Sequence, residues 1–260
     1  MPKVYIGTSG YIYDHWYGIF YPKDLVKAQW LEYYCRFFDT VELNVTFYRL
    51  PFETAFKNWY KRTPDNFSFA VKGSRFITHV KKLTDCEEPL KLLFARAKYL
   101  KEKLGVVLWQ TPPNMKVNIG KLEKFCKLLS GSQWSVDCRQ SFEFRHESWF
   151  CPKVYQILKK YNFALVICDY PFEIVSSEQE PAVRGRKQIV ISETADFIYL
   201  RRHGATALYS SNYSAEQLQQ DAELIKKWLK NGKDVYVYFN NDAHGYAVKN
   251  ALKLKELLKK

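Results

Sequence analysis

Residues 197–239 read FIYLRRHGATALYSSNYSAEQLQQDAELIKKWLKNGKDVYVYF. Two short apolar runs, 197–200 and 234–239, bracket a stripe in which Leu218, Ala222, Ile225 and Leu229 step by four, three and four. Steps of that size put all four side chains on one face of a helix. Ser214 and Gln217 supply a capping box at its start, and Gly232 a stop after its end. The segment reads as strand, helix, strand. Two strands joined through a helix run parallel, because a crossover of this length returns the chain to the same end of the sheet.

The same unit recurs along the chain. Further strands are expected at 4–7, 40–45, 67–71, 105–109 and 163–168, with another inside 135–144. Most are rich in Val, Ile, Phe or Tyr, as buried strands are. Helical stripes fall between them, at Leu122, Phe125 and Leu129 and at Val154, Ile157, Leu158 and Tyr161. Eight strands alternating with helices favour a TIM (β/α)8 barrel over an open sheet, and 260 residues suffice for one. No Pro/Gly/Ser-rich linker divides the chain, so residues 1–260 read as a single domain. The stretch 171–196 carries no helical stripe and reads as an irregular crossover before the seventh strand.

The composition is that of a globular protein, with 47% hydrophobic and 26% charged residues. Aromatic residues reach 17%, so the core should be rich in rings. No run approaches the roughly 18 apolar residues of a membrane helix. A strand at 4–7 leaves no room for a signal peptide. The six cysteines form no C-x-x-C pair and several lie in apolar segments. That scatter fits reduced thiols in the cytoplasm better than disulfides or a zinc site. The net charge of +13 attracts polyanions, although lysines such as Lys226, Lys227 and Lys230 are also what a solvated helix face looks like.

Side chains alternate along a strand, and charged groups are costly against an apolar helix layer, so charge marks the inward set. By that rule Glu42, Asn44 and Thr46 face inward while Val41, Leu43 and Val45 pack outward. Lys72, Gln110, Glu143, Arg145, Asp169, Tyr199, Arg201, His203, Tyr236, Tyr238 and Asn240 are placed inward in the same way. Most lie toward the C-terminal ends of their strands, where TIM barrels build active sites. The histidines (His15, His79, His146, His203 and His244) also fall at or just after expected strands. Acids and cations interleave: Glu42, Glu143 and Asp169 against Lys72, Arg145 and Arg201. Interleaved cations oppose a metal ion and suit a phosphate or carboxylate ligand. No metal ligand set is assigned, and no cofactor is required by the sequence, which leaves a divalent ion open. The bland counterpart is an ion-pair network that closes the barrel. Rim aromatics, among them Tyr11, Tyr13, Trp16, Tyr17, Phe47, Tyr48, Trp149, Tyr209 and Tyr213, can stack on bases or sugars or simply cover a pocket. Walker, G-x-G-x-x-G, H-E-x-x-H and G-x-S-x-G motifs are absent.

Six segments resemble, in order, the YecE-like family, domain of unknown function 72. They are Gly7-Thr8-Ser9-Gly10-Tyr11, the run Thr40-Val41-Glu42-Leu43-Asn44-Val45-Thr46-Phe47-Tyr48, and Gln110-Thr111-Pro112-Pro113. The others are Glu143-Phe144-Arg145-His146-Glu147-Ser148-Trp149, Tyr199-Leu200-Arg201-Arg202-His203-Gly204, and Tyr238-Phe239-Asn240-Asn241-Asp242. The resemblance spans essentially the whole chain. It implies a TIM barrel and no established activity. Val45 departs from it, standing where the family tends to have a small polar residue. Asp137 and Arg139 offer an alternative register for the fifth strand.

The candidate catalytic residues are Glu42, Glu143, His146, Asp169 and His203. Candidate substrate-binding residues are Thr8, Ser9, Asn44, Tyr48, Lys72, Gln110, Arg145, Trp149, Arg201 and Asn240. They are expected to converge on one cavity. The leading expectation is an enzyme, a hydrolase of phosphodiester type, acting on a phosphate-bearing substrate such as a nucleotide or nucleic acid. A first alternative is a sugar hydrolase or isomerase with paired carboxylates about 5–9 Å apart. A second is a non-catalytic protein that binds anions or nucleic acid. Arg201 is expected to grip the anion through two parallel hydrogen bonds, or else to neutralise Glu42, Glu143 or Asp169.

Overall fold

In a computed structural model of the protein, residues 1–131, 134, 136–170, 173–176, 188–191 and 193–259 are described. The strands are β1 (Val4–Thr8), β2 (Thr40–Leu43), β3 (Ser68–Lys72), β4 (Leu104–Gln110), β5 (Arg139–Glu143), β6 (Ala164–Leu165), β7 (Ile167–Cys168), β8 (Glu173–Ser176), β9 (Gln188–Ile191), β10 (Phe197–Arg202) and β11 (Asp234–Phe239). The helices are α1 (Trp30–Tyr34), α2 (Val45–Tyr48), α3 (Glu53–Lys61), α4 (Glu87–Ala97), α5 (Ile119–Leu129), α6 (Pro152–Lys160), α7 (Ala215–Lys230) and α8 (Tyr246–Lys259). The fold is α/β with parallel sheets. One sheet has four strands in the order β1-β11-β10-β7, and another has five in the order β2-β3-β4-β5-β6.

The chain divides into two compact units. The first comprises Met1–Glu42, Ile167–Ile191 and Asp196–Lys260. Its sheet pairs Val4 with Val235 through Thr8 with Phe239, and Phe197 with Asp234 through Arg202 with Phe239. In this register the rings of Tyr5, Tyr236 and Tyr199 stack across three strands, at centroid spacings of 4.7 and 6.3 Å. The expected capping box holds α7 at Ser214 and Gln217. That helix buries Leu218, Ala222, Leu224, Ile225 and Trp228.

The second unit comprises Leu43–Val166 and Ser192–Ala195. Here β4 and β5 pair in a register that sets Gln110 beside Glu143. Gly73, just past β3, is required by packing, because a Cβ there would lie 2.4 Å from the buried Trp109 ring. Thr194 ties its short segment to the sheet, donating to the Phe163 carbonyl at 2.7 Å and accepting from the Leu165 N–H at 2.8 Å.

Several element boundaries differ from expectation for local reasons. The strand expected at 40–45 ends at Leu43, and Val45, expected to pack outward, opens the turn α2 and is 48% exposed. Asn44 already has helical backbone angles and ends the alternation. The fifth strand begins at Arg139 and stops at Glu143, which leaves Arg145 in the following loop. The strand expected at 163–168 is broken at Val166, whose N–H bonds to the Phe142 carbonyl at 2.9 Å. Within the irregular stretch 171–196, β8 and β9 form a parallel pair, while 171–172, 177–187 and 192 lie outside the described residues. Among the described residues all six cysteines are free thiols. Among them, too, no helix is long and apolar enough to cross a membrane.

Candidate functional site

In the first unit the residues gather around two carboxylates. Glu42 lies on β2 with its side chain wholly buried. Its Oε1 accepts from the Ser9 hydroxyl at 2.7 Å and from Arg201 Nη2 at 2.7 Å. Its Oε2 accepts from the Tyr199 hydroxyl at 2.7 Å and from Arg201 Nε at 3.0 Å. A carboxylate offers about four lone-pair sites, so these four bonds saturate it. Burial, and then the Glu42 charge, raise the Tyr199 hydroxyl well above its ordinary range, which keeps it a donor. Thr8 is committed to structure as well. Its hydroxyl donates to the Gly10 carbonyl at 2.6 Å, and its N–H donates to the Tyr34 hydroxyl at 3.0 Å.

Asp169 organises the loop after β10. Its Oδ1 accepts the backbone N–H of His203 at 2.8 Å, and its Oδ2 accepts the Tyr213 hydroxyl. Tyr213 in turn accepts the N–H of Gly204 at 2.7 Å. Gly204 sits at a φ of +127°, where a Cβ would come within 2.3 Å of the Ala207 carbonyl oxygen, so only glycine fits this turn. The His203 ring is fully buried, and Asn240 Nδ2 lies 3.1 Å from its Nδ1. An amide N–H donating to Nδ1 places the proton of the neutral ring on Nε2. The rings of Tyr209 and Tyr170 lie edge-on to it at 5.7 and 6.3 Å.

On the opposite face of β10, Arg202 turns toward α7 and pairs with Asp221 through both Nε, at 2.8 Å, and Nη2. Both side chains are buried. The rule that charge marks one face of a strand therefore fails here, because the helix supplies the opposite charge.

The second unit brings together Glu143, Gln110 and Arg145. Glu143 Oε1 accepts from Gln110 Nε2 and from Arg145 Nε, both at 2.8 Å. The first bond follows directly from the β4–β5 register. Nearby in sequence, His146 caps the turn at Glu147–Trp149, its Nδ1 accepting the Ser148 N–H at 3.2 Å. Trp149, expected at the rim, is fully buried. Its ring stacks on Phe144 at 4.4 Å and its Nε1 donates to the Met115 carbonyl at 2.6 Å.

Lys72, at the end of β3, is buried with its ammonium 4.3 Å over the Phe47 ring. The Thr46 hydroxyl lies 2.7 Å from the Lys72 carbonyl and fastens α2 to β3. Phe47 also meets the His79 ring edge-on at 5.0 Å. His79 belongs to a π-helical turn, Phe76–Val80, and its Nδ1 lies 2.8 Å from the Thr78 hydroxyl. Burial, then the charges of Lys72, Arg75 and Arg145, push the His79 ring down to about 4. Sequence reasoning gave His79 no role beyond its place on the rim. Asn44 is half-buried, and Tyr48 is 78% exposed. The Oδ1 of Asn44 and the Oγ1 of Thr111 are buried without a hydrogen-bond partner among the described residues.

A family model described as protein of unknown function DUF72 matches residues 5–260. The chain is similar to the UPF0759 protein YunF of Bacillus subtilis, 27% identical over 98% of this chain and 94% of that protein. It is 28% identical to the UPF0759 protein YecE of Escherichia coli K12 over 42% of this chain and 38% of that protein. Among solved structures it resembles a DUF72 family protein, TM1631, from Thermotoga maritima, with a TM-score of 0.82 and 30% identity over 99% of this chain and 100% of that one. A DUF72 family protein, EF0366, from Enterococcus faecalis shares the fold at 21% identity and a TM-score of 0.79, over 99% of this chain and 96% of that one. The motifs at the strand ends, the parallel α/β architecture and these matches together make the chain a member of the DUF72 family.

Proposed function

We propose that the protein is a single-domain, closed (β/α)8 barrel that binds a phosphate-bearing substrate and acts on its ester bond. The observation that carries this reading is the concentration of positive charge on His79. Lys72 and Arg75, at and just after the end of β3, and Arg145, after β5, all bear on one half-buried ring. Arg145 is already paired with Glu143, and a further anion bound beside these cations would offset their effect on the ring. The unpartnered Asn44 and Thr111 oxygens leave polar capacity for a ligand's hydroxyls or a bound water. His203, oriented by Asn240, and Glu143, held by Gln110 and Arg145, are the acid/base candidates in their respective units. Arg201 acts here as a positioning residue, since its fork is turned onto Glu42. A glycosidase needs two carboxylates with lone pairs to spare. Glu42 has none left, and this favours the phosphate reading over the sugar one.

The test is a pH titration of the His79 ring by NMR, with and without inorganic phosphate. Without ligand the ring should titrate near 4, below its ordinary value of 6.5. Bound phosphate offsets the three cations, so the titration should move up, and binding should take up a proton between those two pH values. Phosphate affinity should accordingly rise as pH falls through that window. Lys72→Gln should raise the ligand-free value and blunt the response to phosphate. A titration that millimolar phosphate leaves in place would remove the basis for the proposal.

A further inference from the structure

We propose that the two adjoining turns α2 and Phe76–Val80 form a stacking platform for single-stranded nucleic acid, with the surrounding cations holding its phosphates. The inference deepens the phosphate reading and rests on it. Four large apolar side chains stand out from these turns. Val45, Tyr48, Phe76 and Val80 are 48, 78, 48 and 62% exposed. The turns are joined through their rings, since Tyr48 meets Phe47 edge-on at 5.1 Å and Phe47 meets His79 at 5.0 Å. This ring chain runs from the exposed Tyr48 down to the buried Lys72, whose ammonium lies against Phe47. An apolar patch left open on a protein surface marks a binding face.

Charge identifies the occupant. Residues 45–50 and 72–82 contain five cations (Arg49, Lys72, Arg75, Lys81 and Lys82) and no acid. The cations alternate with the exposed side chains: Arg49 follows Tyr48, Arg75 precedes Phe76, and Lys81 follows Val80. The Lys81 ammonium sits 6.0 Å over the Phe76 ring. Rings interleaved with cations suit a strand whose bases are free to stack while its backbone is neutralised alongside. A duplex hides its base faces and would leave the rings unused. A π-helical turn is followed by Lys82, Leu83 and Asp85 at φ values of 48, 64 and 49°, and such strain collects at functional sites.

Binding of a fluorescein-labelled oligothymidylate of about a dozen nucleotides, followed by anisotropy, tests the platform. Tyr48→Ala should weaken binding about tenfold, while Tyr48→Phe stays within about twofold of the parent. Tyr48→Leu should behave like alanine, because it keeps apolar area but loses the flat ring. Lys81→Gln with Lys82→Gln should lower the slope of log affinity against log salt by about 1.4. Tyr48 is exposed, so thermal melts of its variants should match the parent. If Tyr48→Leu binds as well as the parent, or anionic phosphatidylserine vesicles compete fully with the oligonucleotide, the platform is an apolar docking face and the inference fails. Absence of oligonucleotide binding, with phosphate still moving the His79 titration, overturns the platform alone. Absence of both responses overturns the phosphate reading with it.

Discussion

Glu42→Ala is expected to lower the stability of the protein by about 3–5 kcal/mol, the usual cost of stripping one partner from a buried ion pair. The Arg201 side chain is 1% exposed, and two of its nitrogens face the Glu42 carboxylate. Removing that carboxylate takes a bidentate partner from a buried guanidinium and the acceptor from the Ser9 and Tyr199 hydroxyls. A loss of this size is a large share of the roughly 5–15 kcal/mol that holds a protein folded. Urea denaturation measures it directly, provided the m value is unchanged. Glu42→Gln should be almost as damaging, since shape is kept but charge is not. The double variant Glu42→Leu with Arg201→Met should lose less than the two single changes summed, because it removes both charges together. Arg201→Lys should destabilise through its poorer fit to the two carboxylate oxygens and leave phosphate affinity unchanged. A cost below about 1 kcal/mol for Glu42→Ala would mean that the pair is solvated. A Arg201→Lys variant that kept its stability but lost phosphate binding would return Arg201 to the role of anion grip.

The parallel α/β framework was legible because its signals are local. Helix α7 announces itself through Ser214, Gln217 and a four-three-four apolar stripe; the structure uses the cap and buries Leu218, Ala222 and Ile225, while Trp228 is buried in preference to Leu229. The β10–β11 pair is likewise plain from alternating apolar residues. Element ends were harder to read where a local preference competes with a pattern. The run from Val41 to Thr46 alternates like a strand throughout, yet the backbone turns helical at Asn44. Nothing in the alternation records that turn. The strand of 163–168 reads as continuous, and nothing in its pattern records that Ala164–Leu165 pair with β5 while Ile167–Cys168 pair with β10.

The candidate residues divide in the same way. Ser9, Glu42, Tyr199 and Arg201 are drawn into one network, and Gln110, Glu143 and Arg145 into another, as residues sharing the polar ends of neighbouring strands should be. What spacing could not convey was how completely a carboxylate would be satisfied, because lone-pair occupancy is a property of packed geometry. His79 is a related case. Its cation-rich neighbourhood was visible in Lys72, Arg75, Lys81 and Lys82, but burial of the ring and the reach of Arg145 are properties of the packed structure. Asp221 could have been found. It stands three residues after Leu218 and one before Ala222, inside the apolar stripe, and an acid at such a position needs a buried partner.

That partner makes the second large effect. Asp221→Ala is expected to cost about 3–5 kcal/mol, again by taking the directly paired carboxylate from a buried guanidinium. Arg202 and Asp221 have side chains 5% and 7% exposed, so water cannot take over from the lost carboxylate. Burial alone would lower the Arg202 pKa. The Asp221 carboxylate, through its charge and two hydrogen bonds, together with the Asp169 charge, outweighs burial and holds the guanidinium above its ordinary range. Arginine stays protonated in a protein interior on its own high basicity, so the variant cannot escape by deprotonating. It must admit water between β10 and α7 or separate them, so amide exchange should rise first in α7, around Leu218–Ile225, before the rest of the first unit. Asp221→Asn should retain part of the hydrogen bonding and fall between alanine and the parent. Replacing both residues, with Arg202→Met and Asp221→Leu, should recover most of the loss, because two apolar side chains suit the interface that the stripe of α7 already makes. If the double replacement were as unstable as Asp221→Ala alone, the pair would be fixing the position of α7 through its geometry, and charge compensation would not be its main contribution.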